Sequence, residues 1–234
     1  MYEQAQGYYA SQPQVGAMDV AASRARFLTR TYLHLLGAIV LFTGIEVALF
    51  QLGLALPIAK ALFSVPWILV LGAFILAGSL FSGVAARAPS LGAQYAALAG
   101  YVVIEAVIFI PLLLLVEINA PGAIGSAAAL TLVGFGALTG IVMTTSANYS
   151  ALRGVLTWAG VSALMLIGAS LLFGLTLGVW FSFAMVVYAG AVILYRTDRI
   201  MRAYPDDRYV AAALALFASV ALMFWYVLRI FSRR

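Results

Sequence analysis

The chain has 234 residues, 65% of them hydrophobic and 9% charged, with a net charge of +5, where a soluble domain carries roughly 45–50% apolar and about 25% charged residues. So few charges cannot cover a surface in water, which excludes a soluble globule and predicts an all-α integral membrane protein. With no cysteine there is neither a disulfide framework nor a thiolate metal site.

Residues 1–30 contain GYYASQPQ and MDVAASRARFLTR, with no apolar run long enough to enter a bilayer. They read as a flexible polar tail ending in a basic collar, Arg24, Arg26 and Arg30, expected to stay cytoplasmic. Residues 31–234 form the transmembrane domain. A span needs about 20 apolar residues, since ~1.5 Å per residue must cross ~30 Å of hydrocarbon. Seven such stretches follow: 31–52, 66–86, 92–116, 123–145, 155–173, 179–195 and 209–231. Pro66 suits a first helical position, Pro111 predicts a kink in the third span, and Pro121-Gly122 marks a turn before the fourth. Lys60 falls in the loop after the first span. Gly136/Gly140 and Ser79/Gly83 have the small-xxx-small spacing that lets helix backbones touch, and are expected to pack within the bundle. Trp158, Trp180, Trp225 and Tyr226 lie towards helix ends and read as anchors at the membrane interface.

Twelve of the thirteen basic residues are arginine. That skew, with abundant Ala and Gly, points to a bacterial source and hence an inner membrane. The basic residues lie at helix ends rather than on one patch, so membrane topology accounts for them and nucleic acid is not expected as a partner. An N-in orientation puts nine of them on the cytoplasmic side, with Lys60, Arg229, Arg233 and Arg234 opposite. The basic C-terminus runs against this unless the last helix enters without crossing.

Glu46 and Glu105 fall inside the first and third spans. A charge at mid-bilayer costs ~2.5–3.5 kcal/mol on insertion scales, so both carboxyls are expected to face the bundle interior or water. Two readings stand: a polar cavity admitting protons or cations, or a structural role in holding the bundle together, as an ion pair with Arg87 or Arg196 or as a protonated carboxyl. His34 is the only histidine, either a packing residue or a pH-sensing candidate. One histidine and no cysteine leave no zinc hydrolase site. No G-x-S-x-G elbow supports a serine hydrolase, and Lys60 is misplaced for a retinal Schiff base. No enzyme activity and no cofactor are expected.

The densest charge lies at 192–231, VILYRTDRIMRAYPDDRYVAAALALFASVALMFWYVLRIF. With FLTRTYLHLLGAIVLF, the VAAR ending at Arg87 and FGALTGIVMTTSANYS, this run resembles the Bax inhibitor family of seven-helix membrane proteins, including its YccA-like branch. The resemblance covers residues 27–234. It implies a last helix wrapped by the other six, and two aspartates, late in the sixth span and midway along the seventh, that share protons and gate a calcium leak, with an arginine matched by Arg87 beside them. Here those two positions are Arg196 and Ser219. Asp198, two residues on, is turned ~200° around a helix and cannot restore the pair. The expected cavity is therefore lined by Glu46, Glu105, Arg87, Arg196 and Ser219. Two functions follow: a stress-related, pH-responsive leak for calcium or protons, or a non-conducting partner of an AAA membrane protease engaged through residues 1–30, as the YccA-like branch implies. A transporter is the weaker third.

Overall fold

A computed structural model describes residues 12–88 and 90–232, with side chains from residue 19 onward. Among these residues there are eight helices and no strand: α1 (Gln12–Gln51), α2 (Ala55–Phe63), α3 (Trp67–Arg87), α4 (Leu91–Asn119), α5 (Ala123–Thr144), α6 (Leu152–Phe173), α7 (Val179–Ala203) and α8 (Tyr209–Phe231). Seven are long and apolar enough to cross a membrane, in the positions the sequence predicts. The eighth, α2, is a short amphipathic helix of about two and a half turns that buries Ala55 and Ala59 against Ile110 of α4. Lys60 therefore sits on a helix, not in an irregular loop, because LPIAKALF supplies good helix formers with apolar residues at i and i+4.

The centre of the bundle is α8. Of its most apolar stretch 72% is buried, against 6% for α3 and 11% for α6. Small residues make this possible. Ala211, Ala212 and Ala213 are buried and let α1 and α4 approach, while Leu214, Leu216 and Leu228 fill the space between neighbours. The outer helices turn their large apolar side chains to lipid: Leu69, Leu76 and Leu80 of α3, and Val155, Met165 and Leu172 of α6. Such exposure would be an error in water and is ordinary in a bilayer.

At 40 residues α1 is about 60 Å long, twice the hydrocarbon thickness. Residues 12–30, expected as a flexible tail, continue this helix, and the reason is packing: Phe27 and Thr31 are buried and Arg24 grips the end of α7. Residues 1–11 lie outside those described.

Helix α8 also runs the full depth of the bundle. Its first residue, Tyr209, meets His34 near the start of the first span, while Leu228 packs in the cluster that holds Val116 and Ala123 at the α4–α5 turn. The beginning of α1 and the end of α8 are thus on opposite faces.

Two packing expectations change. Cβ atoms added at Gly83, Gly136 or Gly140 would meet nothing within 4 Å, so these glycines are not helix contacts. The close approaches are elsewhere: a Cβ on Gly100 would lie 2.6 Å from the Phe81 ring, and one on Gly190 3.3 Å from Leu138. Trp158 and Trp180 are exposed, as anchors should be, but Tyr226 is buried against Phe181 and Trp225 packs edge-on to Phe109 at 5.0 Å. Because α8 is central, aromatic residues at its end have helices around them instead of headgroups.

Candidate functional site

The sixth and seventh spans carry Arg196 and Ser219, and the fold joins them. From α7 the Arg196 guanidinium reaches α8, where Nη1 donates to Ser219 Oγ at 2.9 Å and to the Ala215 carbonyl. Ser219, buried to 1% exposure, donates its own proton to the same carbonyl at 3.1 Å. A serine bonding back to the carbonyl one turn earlier leaves its oxygen lone pairs free to accept, and the arginine takes one. Guanidinium, hydroxyl and carbonyl form a closed set that fastens α7 to α8.

Glu105 of α4 is 4% exposed. Its polar neighbour is Tyr101, one turn earlier on the same helix face, and Tyr101 lies within electrostatic range of Arg196. Arg196, Ser219 and, through Tyr101, Glu105 therefore share one region. Neither glutamate forms an ion pair with Arg87 or Arg196 among the described residues. Arg87 is exposed at the end of α3, and the cap of that helix is completed by a different residue: Arg208 Nη1 donates to the Ala88 carbonyl at 2.6 Å.

Glu46 makes no hydrogen bond or ion pair with this set. It lines a separate cavity of about 220 Å³ between α1, α4, α5 and α8, and both its carboxylate oxygens are buried without a partner. His34 lines another cavity of about 330 Å³ at the α1–α4 seam. Its Nδ1–H donates to the Arg30 carbonyl at 2.7 Å, which leaves Nε2 of the neutral ring to accept from the Tyr95 hydroxyl at 2.7 Å. Tyr95 and Tyr209 flank the ring at 5.4 and 5.1 Å. No group of three or more His, Asp or Glu able to hold a metal occurs among the described residues.

Sequence reasoning left unassigned a polar clasp on the face where α1 begins. Arg24 donates from Nε to the Met201 carbonyl at 3.0 Å, from Nη1 to the Tyr204 carbonyl at 2.7 Å, and from Nη2 to the Ile200 carbonyl. These are the carbonyls that the end of α7 leaves without a helical donor. Nη1 also meets Asp206 Oδ1 at 2.9 Å, and Ser23 donates to Oδ2 at 2.6 Å. Both contacts hold the Asp206 carboxyl below the usual aspartate range, the Ser23 hydrogen bond first and the Arg24 guanidinium next. Beside this clasp, buried Asp198 accepts from Arg202 Nε at 2.5 Å and from the Tyr149 backbone at 3.3 Å, while Arg202 also holds the Ala147 carbonyl at 3.0 Å. The signal in the sequence was the charge density of 196–208, but the partners are up to 183 residues away and no local pattern names them.

The geometry defines a membrane bundle with an arginine–serine latch at its centre and a basic, hydrogen-bonded face at the start of α1. No curated protein and no solved structure matches the chain. The family model described as Bax1-I, Inhibitor of apoptosis-promoting Bax1, matches residues 24–234, the helical bundle except for the first turns of α1, and the chain belongs to that family.

Proposed function

We propose that this protein is a non-conducting regulator of the Bax inhibitor type in a bacterial inner membrane, with the face that carries Arg24 in the cytoplasm and a protein partner engaged there through the N-terminal 30 residues. The observation that supports it is the latch. An arginine remains charged at any relevant pH, and Arg196 is tied to Ser219 and Ala215 where the family resemblance implies two acids. A fixed guanidinium repels calcium and has no proton to exchange, and calcium asks for six to eight oxygen ligands. The N-in orientation draws support from the clustering of Arg24, Arg26, Arg30, Arg202 and Arg208 at one end of the bundle. An AAA membrane protease is the partner class that the YccA-like resemblance implies.

The competing reading is a calcium or proton leak through the interior. It draws on buried Glu105, next to Tyr101 in the region of Arg196. One experiment separates them. Calcium and proton flux is measured in liposomes bearing the wild type, the Arg196→Asp/Ser219→Asp variant, or no protein. The wild type is expected at the level of empty liposomes and the double variant about tenfold or more above it. Wild-type flux well above empty liposomes, reduced by Glu105→Gln, would establish the leak instead. Deleting residues 1–23 is expected to abolish co-purification with the membrane protease, and an unchanged yield would remove that partner.

A further inference from the structure

The cavity lined by Glu46 has a composition that selects its occupant. Phe42, Leu113, Ile124, Phe217 and Phe224 make its walls apolar. Into them projects one carboxylate, 7% exposed, with both oxygens unpartnered. The two hydroxyls in the same lining cannot serve as donors: Thr43 donates to the Ile39 carbonyl at 2.9 Å and Thr131 to the Ala127 carbonyl at 2.8 Å. No other side chain in the lining thus offers this carboxyl a donor, and in a region where an unpaired charge is costly it holds a negative charge only when a cation lies against it.

What completes the site must bring a cationic donor and an apolar body together. A metal ion fails on both counts, because one carboxylate and two spent hydroxyls do not replace its hydration shell. A phospholipid is far larger than about 220 Å³, whereas a dry cavity of ~150 Å³ takes benzene. We infer that this cleft between α1, α5 and α8 binds a small lipophilic amine, its ammonium donating to the Glu46 carboxylate and its hydrocarbon body lying against Phe42, Phe217 and Phe224. Side chains at the cleft edge, Val47 and Leu132, are about half exposed to lipid, so such a molecule enters laterally after partitioning into the bilayer. The inference is independent of whether the protein conducts or engages a protease.

The test uses the full-length protein in phosphatidylglycerol nanodiscs, titrated with 3-phenylpropylamine and with 3-phenyl-1-propanol, followed by thermal unfolding and ligand-observed NMR. Saturable amine binding is expected, with the alcohol at least about tenfold weaker. Glu46→Gln is expected to lower the amine affinity at least about tenfold and leave the alcohol unchanged. Ala128→Phe, which fills the cleft and keeps the carboxylate, is expected to abolish both and serves if Glu46→Gln fails to fold. Equal binding of amine and alcohol to the wild type, or amine binding that survives either substitution, overturns the proposal. So does displacement of the probe by added phosphatidylethanolamine, which would assign the site to a lipid headgroup.

Discussion

Arg196 and Ser219 show how one exchange changes what a buried position can do. Two acids at close range compete for a proton; an arginine facing a serine makes a permanent link instead. Removing half of that link is the costly change. Ser219→Ala leaves a buried guanidinium with the Ala215 carbonyl alone, and is expected to destabilise the bundle by about 1–3 kcal/mol in reversible unfolding in detergent. Adding Arg196→Met removes the charge that needed the partner, and the double variant is expected to return close to the wild type. Purely additive losses would mean that the two side chains do not act as a unit. That these two positions belong together was implied by the family resemblance and by no local pattern, because nothing in either span names a partner 23 residues away. The sequence could not show that Glu46 and Glu105 part company: both are acids in apolar helices, and only their rotation about the helix axis sends one to Tyr101 and the other to a cavity of its own.

At the scale of elements, α1 and α7 are joined by a side chain doing the work of a helix cap. Arg24 closes the end of α7 and Arg208 closes α3; each places a cation where the helix dipole is negative. Arg24→Ala is expected to raise amide hydrogen exchange at about tenfold or more over residues 199–204, with exchange at the centre of α8 unaffected. The clasp is also pH-dependent through Asp206. Its folded carboxyl titrates below the ordinary value, so the contribution is complete above about pH 4 and is lost as pH falls through the depressed folded value. Exchange in residues 20–30 is expected to rise over that acidic window in the wild type and to be already high and flat in Asp206→Asn. The seven long helices were legible because a span is a matter of length and hydropathy, which are local. The helical state of residues 12–30 was not, since polar composition alone reads as a tail, and what orders them is contact with carbonyls nearly 180 residues away.

For the whole molecule, burial is concentrated in a single helix. Substitutions of the same kind should therefore differ by location. Ala212→Leu, at a site with no exposure, is expected to cost about 1–3 kcal/mol through overpacking, while Ala159→Leu on the lipid side of α6 is expected to stay within about 0.5 kcal/mol; thermal unfolding of the two variants side by side checks this. The choice of α8 as the centre was not readable from hydropathy, which is as high for α3 and α4 as for α8. It came from resemblance, and its physical basis is the run of alanines that only a surrounded helix can use.

The innermost helix also follows the other six spans in chain order. Six spans must enter the bilayer and wait with their inward surfaces lined by lipid or by each other, because the part they close around has not yet left the ribosome. Assembly of this bundle thus waits on residues 209–231, and a chain stopped short of them is a ring of helices without a hub, exposed to quality control for as long as it persists.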